Sequence, residues 1–460
     1  MRAPSTRPIA GPFLGEDSRD RLARSFTDGW NTYETLFRGV LPSRESFHTR
    51  VHPLRLPLVF YLAHTAAFYV QKLKLVGLVE ERGVVPELDE RMERGVSPED
   101  PDELAELPAW PDLDTVWAYR KSVRDTVLGA IRNVPLGSTV EPESPVRALL
   151  MGIEHENIHL HTSLPLVRLL PPRCKEHPAG WPAMVGEREA APTPGARELE
   201  FTRCPGGHVR FGGEQGAATP FRWDNEWGLR EAEVDPFAVA RHPVTNGQFL
   251  EFLRAGGYQR RELWTTHGAD LFLDQVSEGR PNSWVATEAG TYRYRGTFED
   301  IDLPWDWPVE VSRHEAVAYA NWVGAGLLSE EQFHALLDQE FGGPAEVAYQ
   351  LGKFNVGLRH GSPRPVLNPH AALGRHGDGV DFVGNVALWL DDDFRPLDDE
   401  PFHTDPLYPD FSQPWFGQET GMLAGASYAA RGHLAHVGVM RDFMQNHMDQ
   451  LAGILLTRSA

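Results

Sequence analysis

In the run Met151-Gly152-Ile153-Glu154-His155-Glu156-Asn157-Ile158-His159-Leu160-His161, two histidines, His155 and His159, stand four residues apart. On a helix they project from one face about 6 Å apart, close enough to share a metal ion. A third candidate, His64, lies in another apolar helical pattern running from Leu56 to Phe68. Three neutral imidazoles from two helices leave part of a coordination sphere open for water, oxygen or substrate. Catalytic metal sites are built that way and closed structural ones are not. His161, two residues past His159, points to another face and is not expected to be a ligand. The same run satisfies H-E-x-x-H, the zinc-protease helix in which Glu156 would be the general base. The extended form of that motif needs Gly at 162 and His at 165, where this chain has Thr162 and Pro165. A zinc protease is therefore the alternative.

The histidines need helices to hold them, and residues 18–170 read as four. The first carries Leu22, Phe26, Tyr33, Phe37 and Val40 on one face. The second starts at Pro57 and carries His64. The third follows Asp112 or Asp114, and the fourth has Ser144 as N-cap and Pro145 at its first position. Pro165 is predicted to kink or shorten the end of that fourth helix. The pattern predicts an α+β chain: a helical bundle over 1–170, a Pro/Gly/Ala-rich linker over 171–198, and a second domain over 199–460. In the second domain Phe201–Gly213 reads as a hairpin, with short helices at 246–254 and 313–322 and many Gly-rich loops.

A formal charge of −21, from 44 basic and 65 acidic side chains, argues against nucleic acid and against an anionic membrane surface. Two cysteines, Cys174 and Cys204, in 460 residues point to a reducing compartment. No signal-like segment opens the chain, and the apolar stretch 56–70 is too short for a membrane span. A cytoplasmic, soluble protein is expected.

Three segments, Pro243–Phe249, Val311–Trp322 and Val383–Trp389, resemble the formylglycine-generating-enzyme fold, a C-type-lectin-like domain. The helical part resembles a DinB-type four-helix bundle. That pairing is similar to the iron-dependent sulfoxide synthases of ergothioneine and ovothiol biosynthesis. Met151–His159, Trp223–Trp227 and Phe354–Pro363 resemble the ovothiol branch, 5-histidylcysteine sulfoxide synthase. The resemblance implies Fe(II) held by His64, His155 and His159, O2 as co-substrate, and small-molecule substrates: histidine and a thiol or selenol donor. It also implies substrate binding by Asn225, Asn385 and Trp389.

The chain departs from that family at three places. Ala387 and Leu388 stand between Val386 and Trp389, where the family usually reads G-N-V-W-x-W. No tyrosine follows Tyr428, and the place of the family's terminal tyrosine falls at Asp442. The chain ends at Ala460 without room for the methyltransferase domain common in the ovothiol branch, so a separate methyltransferase is expected. Ala387 and Asp442 point to an altered donor pocket and favour a selenosugar, as in the ovoselenol-forming branch. Cysteine is the alternative donor, and a non-catalytic lectin-like binding module is the alternative of another class.

Overall fold

The computed structural model describes residues 16–52, 55–93, 109–137, 140–184, 198–213, 221–366, 380–398, 401–417 and 419–460. Six helices come first: α1 (Glu16–Arg38), α2 (Arg44–His48), α3 (Leu58–Leu75), α4 (Pro86–Arg91), α5 (Leu113–Asn133) and α6 (Pro145–Leu169). The four long ones pack as a bundle in which α3 and α1 each lie against both α5 and α6. Leu22, Phe26, Tyr33 and Phe37 of α1 are fully buried and Val40 nearly so, each large apolar side chain contributing about 1.5–3 kcal/mol. Asp112 caps α5 through Thr115 N, and Ser144 caps α6 through Arg147 N, with Pro145 in the first turn. No helix of the described residues is long and apolar enough to cross a membrane.

Pro165 neither ends nor shortens α6, which continues four residues to Leu169. The ring removes one backbone donor, but Leu164, Leu166 and Val167 around it are buried and hold the last turn in place. Lys175 Nζ donates to the Arg168 carbonyl at 2.7 Å, satisfying one of the helix's last carbonyls in a buried setting. Residues 171–184 are likewise not a free linker. Leu41 N and Glu176 N exchange hydrogen bonds with Cys174 O and Gly39 O, and the buried Trp181 meets Phe298 edge to face. The rest of the predicted linker, 185–197, lies outside the described residues.

The second half holds strands β1 (Phe201–Cys204), β2 (Gly207–Gly213), β3 (Gly228–Val234), β4 (Phe237–Ala240), β5 (Trp284–Ala286), β6 (Tyr292–Arg295), β7 (Asp300–Asp302), β8 (Gly326–Leu327), β9 (Ala387–Asp393), β10 (Thr420–Ala424), β11 (Asp442–Gln445), β12 (Ala452–Gly453) and β13 (Leu456–Ser459). Helices α7 (Asn246–Arg254), α8 (Arg313–Val323), α9 (Glu330–Phe341) and α10 (Pro344–Gln350) lie among them. Capping boxes at Thr245/Gln248 and Ser312/Glu315 start α7 and α8 where the sequence predicts them. The expected 201–213 hairpin does not form: β1 pairs with β4 and β2 with β3. Gly206 and Gly207, both at positive φ, step the chain from one sheet to the next. A Cβ at Gly206 would strike the backbone of Val234 and Asp235. Two four-stranded sheets, β1-β4-β13-β8 and β11-β10-β9-β12, complete the framework. The bundle core continues into this half through Trp223, Leu358, Phe411 and Tyr428.

Candidate metal centre

His64 on α3 and His155 and His159 on α6 converge, with one nitrogen of each lying within 4.8 Å of the others. The rings are 5.2, 4.6 and 4.4 Å apart between centroids. All three are buried. His64 Nδ1 donates to the Met92 carbonyl at 2.6 Å, which leaves Nε2 as the nitrogen with a free lone pair. Burial pulls the His64 pKa down to about 4 and holds His155 and His159 well below the ordinary range. At neutral pH the site is three uncharged imidazoles. Nδ1 of His155 and of His159 is buried without a hydrogen-bond partner, an expensive arrangement for two polar atoms. Convergent neutral nitrogens of this kind fit a divalent transition metal such as iron or zinc.

Aromatic rings fix the imidazoles. Phe68 stacks on His155 at 3.5 Å with planes 5° apart, and Phe60 stacks on His64 at 5.0 Å. From the second half, the Tyr408 ring comes within 6.2 Å of His155 and 5.0 Å of Phe68. Its position follows from Asp405, whose carboxylate accepts from Arg147 Nε of α6 at 2.7 Å while its carbonyl accepts from Tyr408 N at 3.0 Å. The loop carrying the phenol is thereby tied to the helix carrying two of the histidines. Burial raises the phenol's pKa above its ordinary value, so it stays protonated.

Glu156 points away from the imidazoles into the bundle. Its carboxylate accepts from Arg120 Nη2 at 3.0 Å and from Thr65 Oγ1 at 3.3 Å, and Arg120 is fully buried. A carboxylate engaged by a guanidinium on the far side of the helix cannot activate water at His155 and His159, so the zinc-protease arrangement is not met. Glu154, on another face, accepts from His433 N at 2.7 Å and Asn157 Nδ2 at 3.0 Å. His433 in turn donates to Glu226 at 2.7 Å. Gly432 lets this contact close, since a Cβ there would meet the Glu154 carboxylate and Asn157.

The other sequence candidates fall elsewhere. His161 shares a 2.7 Å hydrogen bond with Ser427, and together with Ala387 and Asp442 it lines a small cavity to which none of the three convergent imidazoles contributes. Burial pushes the Asp442 carboxyl up to about 7, and Oδ1 accepts from Phe443 N. Asn385 sits at φ 72° with its side chain bonded to both Arg364 N and Arg364 O. Trp389 is fully buried and donates to Val311 O at 2.8 Å. Both of these are committed to holding the loop and the core. Asn225 Nδ2 donates to Arg441 O at 2.7 Å, while its Oδ1 is buried with no partner. Sequence reasoning missed Phe68 and Tyr408, the two rings beside His155. Phe68 could have been found four residues after His64 on one helical face. Tyr408 lies in a loop without periodicity.

Helices presenting three converging histidines to a loop-rich second half define a candidate metal-binding architecture. The chain belongs to the family of the sulfatase-modifying factor enzyme 1-like domain, which matches residues 187–453. It is 27% identical over 420 residues to the hercynine oxygenase of Mycolicibacterium smegmatis, covering 87% of this chain and 89% of that protein. It is 29% identical over 427 residues to the hercynine oxygenase of Mycolicibacterium thermoresistibile, covering 89% and 88%. Ergothioneine biosynthesis protein 1 of Neurospora crassa is 21% identical over 88% of this chain, which spans 54% of that longer protein. Matches of this length extend beyond the second half into the helical bundle. They support kinship with sulfoxide synthases of the ergothioneine and ovothiol type.

Proposed function

We propose that this chain is a cytoplasmic, non-haem Fe(II)- and O2-dependent oxidoreductase that joins sulfur or selenium to the imidazole ring of histidine or a histidine derivative. The observation that carries this reading is the buried, neutral three-imidazole cluster in a chain similar to hercynine oxygenases along most of its length. His64, His155 and His159 would hold the metal, which would supply open positions for a thiolate or selenolate and for oxygen. Met92 O and the rings of Phe60 and Phe68 fix the orientation of the ligands. Tyr408, protonated and anchored through Asp405, keeps a proton at its Oη on the side where the second half faces the cluster. The apolar surroundings exclude water from the reacting groups.

Two finer points divide the readings. Similarity to hercynine oxygenases favours hercynine as acceptor, whereas the ovothiol-like segments favour free histidine. Ala387 and Asp442, on which the sequence rests its preference for a selenosugar donor, line the His161 cavity and not the histidine cluster, so selenosugar and cysteine both stand as donors to be tested. The test is mass spectrometry of products from iron-loaded enzyme given oxygen, histidine or hercynine, and cysteine, γ-glutamylcysteine or a selenosugar. A product carrying a new carbon–sulfur or carbon–selenium bond, made only with iron and oxygen, supports the reading. Stoichiometric zinc with peptide cleavage, or no metal at all, would refute it.

A further inference from the structure

Among the described residues three buried cations lack a carboxylate within ion-pair range; Lys175 is satisfied by backbone carbonyls, and the other two, Arg55 and Lys72, flank the histidine cluster. Arg120, Arg147, Arg168, Arg313, Arg431 and Arg441 each pair with a carboxylate. Arg55 and Lys72, only 5% and 7% exposed, have no carboxylate within ion-pair range among the described residues. That is unexpected in a chain with 65 acidic side chains, since a buried charge is normally paired.

Their surroundings are specific. Arg55 Nη2 reaches Met444 Sδ at 3.8 Å, and its guanidinium also bonds the Tyr61 side chain. The Tyr61 ring lies 6.4 Å from His159, and the Arg55 charge is felt at His159, His52 and His447. Asp449 is the nearby acid, but it is beyond pairing range and accepts from Asn282. Lys72 Nζ makes no hydrogen bond among the described residues. It sits 4.8 Å from the Phe68 ring centre and 4.5 Å from that of Tyr408, the two rings beside His155. Glu93, Asp405 and Asp410 act on it only from a distance, and Asp405 already holds Arg147.

The order along α3 gives these cations a direction. Arg55 precedes the helix at the His159 end. His64 lies in the middle, and Lys72 follows it by eight residues, about 12 Å along the axis, at the His155 end. We infer that Arg55 and Lys72 are the anion anchors of the two substrates that meet at the histidine cluster, each closing on a carboxylate of one of them. This rests on the function proposed above and specifies its substrate class. The imidazole-bearing acceptor and the chalcogen donor would both be acids, the guanidinium gripping one in a fork and the ammonium meeting the other as a point charge. A carboxylate-bearing thiol or selenol then fits better than an uncharged sugar.

The test is calorimetry on the iron-loaded chain without oxygen, titrating histidine against histidinamide and cysteine against cysteinamide. The expected result is at least a tenfold preference for each acid over its amide. Arg55→Gln should abolish that preference for one acid and Lys72→Gln for the other, and Arg55→Lys should restore part of the first. Melting temperatures should hold or rise, because an unneutralised buried charge has been removed; a structural cation would show a fall. Amides binding as tightly as acids, no measurable binding of either acid, or variants that lower the melting temperature while the preference persists would each overturn the assignment. A selenosugar bound more tightly than cysteine, and untouched by either variant, would overturn its donor half. Anion-selective binding without product formation would instead sink the proposed reaction and leave the anchors standing.

Discussion

Glu154 and Glu156 sit on either side of His155, and the two carboxylates face opposite parts of the molecule. Glu156 is enclosed by the bundle, where Arg120 and Thr65 bind it. Glu154 reaches across to the second half and takes the backbone N–H of His433. One helix thus fastens the face that carries His155 and His159 from within and from without, using neighbouring residues. The inner fastening is an ion pair between two fully enclosed charges. The outer one is a set of hydrogen bonds onto an irregular segment, and it is the softer of the two.

Changes along α6 should therefore differ by face. The largest effect is expected at the inward face: His155→Ala, His159→Ala or His64→Ala should each lose most of the bound iron in a metal assay, whereas His161→Ala should keep it. Full iron occupancy in His64→Ala would dissolve the assignment of the site. Next comes the inner fastening. Glu156→Ala leaves buried Arg120 only the longer contact to Glu34 at 3.5 Å and should destabilise the fold by about 3 kcal/mol in denaturant titration. Glu156→Gln should cost less, keep iron and keep much of the activity; if it behaved like a lost general base, with a normal fold and no turnover, the protease reading would return. Glu154→Ala should cost about 1–3 kcal/mol, with faster hydrogen exchange at Gly432 and His433 and little change in the bundle. Equal acceleration in both halves would mean that the two fastenings are not separable.

The smallest effect concerns pH. The Asp442 carboxyl is raised from its ordinary 3.8 to about 7, so between those values the folded protein holds a proton that the unfolded chain has released. Stability should fall as pH rises through that window and level off above it. Asp442→Asn should flatten this slope between about pH 4 and 7, measured by denaturation across the series. An unchanged slope would place the dependence on other buried acids, such as Asp449 or Glu315, both also raised.

The helical half was readable because its information is periodic. Leu22, Phe26, Tyr33 and Phe37 mark one face, Ser144-Pro145 marks a helix start, and His155 and His159 mark a turn of the same helix. The capping boxes at Thr245 and Ser312 were equally local signals. What could not be read is set by contacts between distant segments. Phe201–Gly213 looks like a hairpin, yet each strand finds its partner beyond residue 227. Asn385 and Trp389 look like ligand-binding groups, but their polar atoms are consumed by Arg364 and Val311. Tyr408 reaches the site only because Arg147 and Asp405 pull its loop there. A buried lysine without a partner cannot be distinguished in sequence from one with a partner.

Gly152 lies one turn before His155, where α6 crosses α3, and a Cβ there would run into the ring of Tyr69. The spacing between the two helices is therefore set by an absent side chain. Even alanine at 152 would wedge α3 away from α6 and carry His64 away from its two companions, loosening the site without altering any residue that could touch the metal. Mutational tolerance should follow this geometry: the position most intolerant of added bulk near the cluster has no functional group, and a search confined to chemically active residues would pass over it.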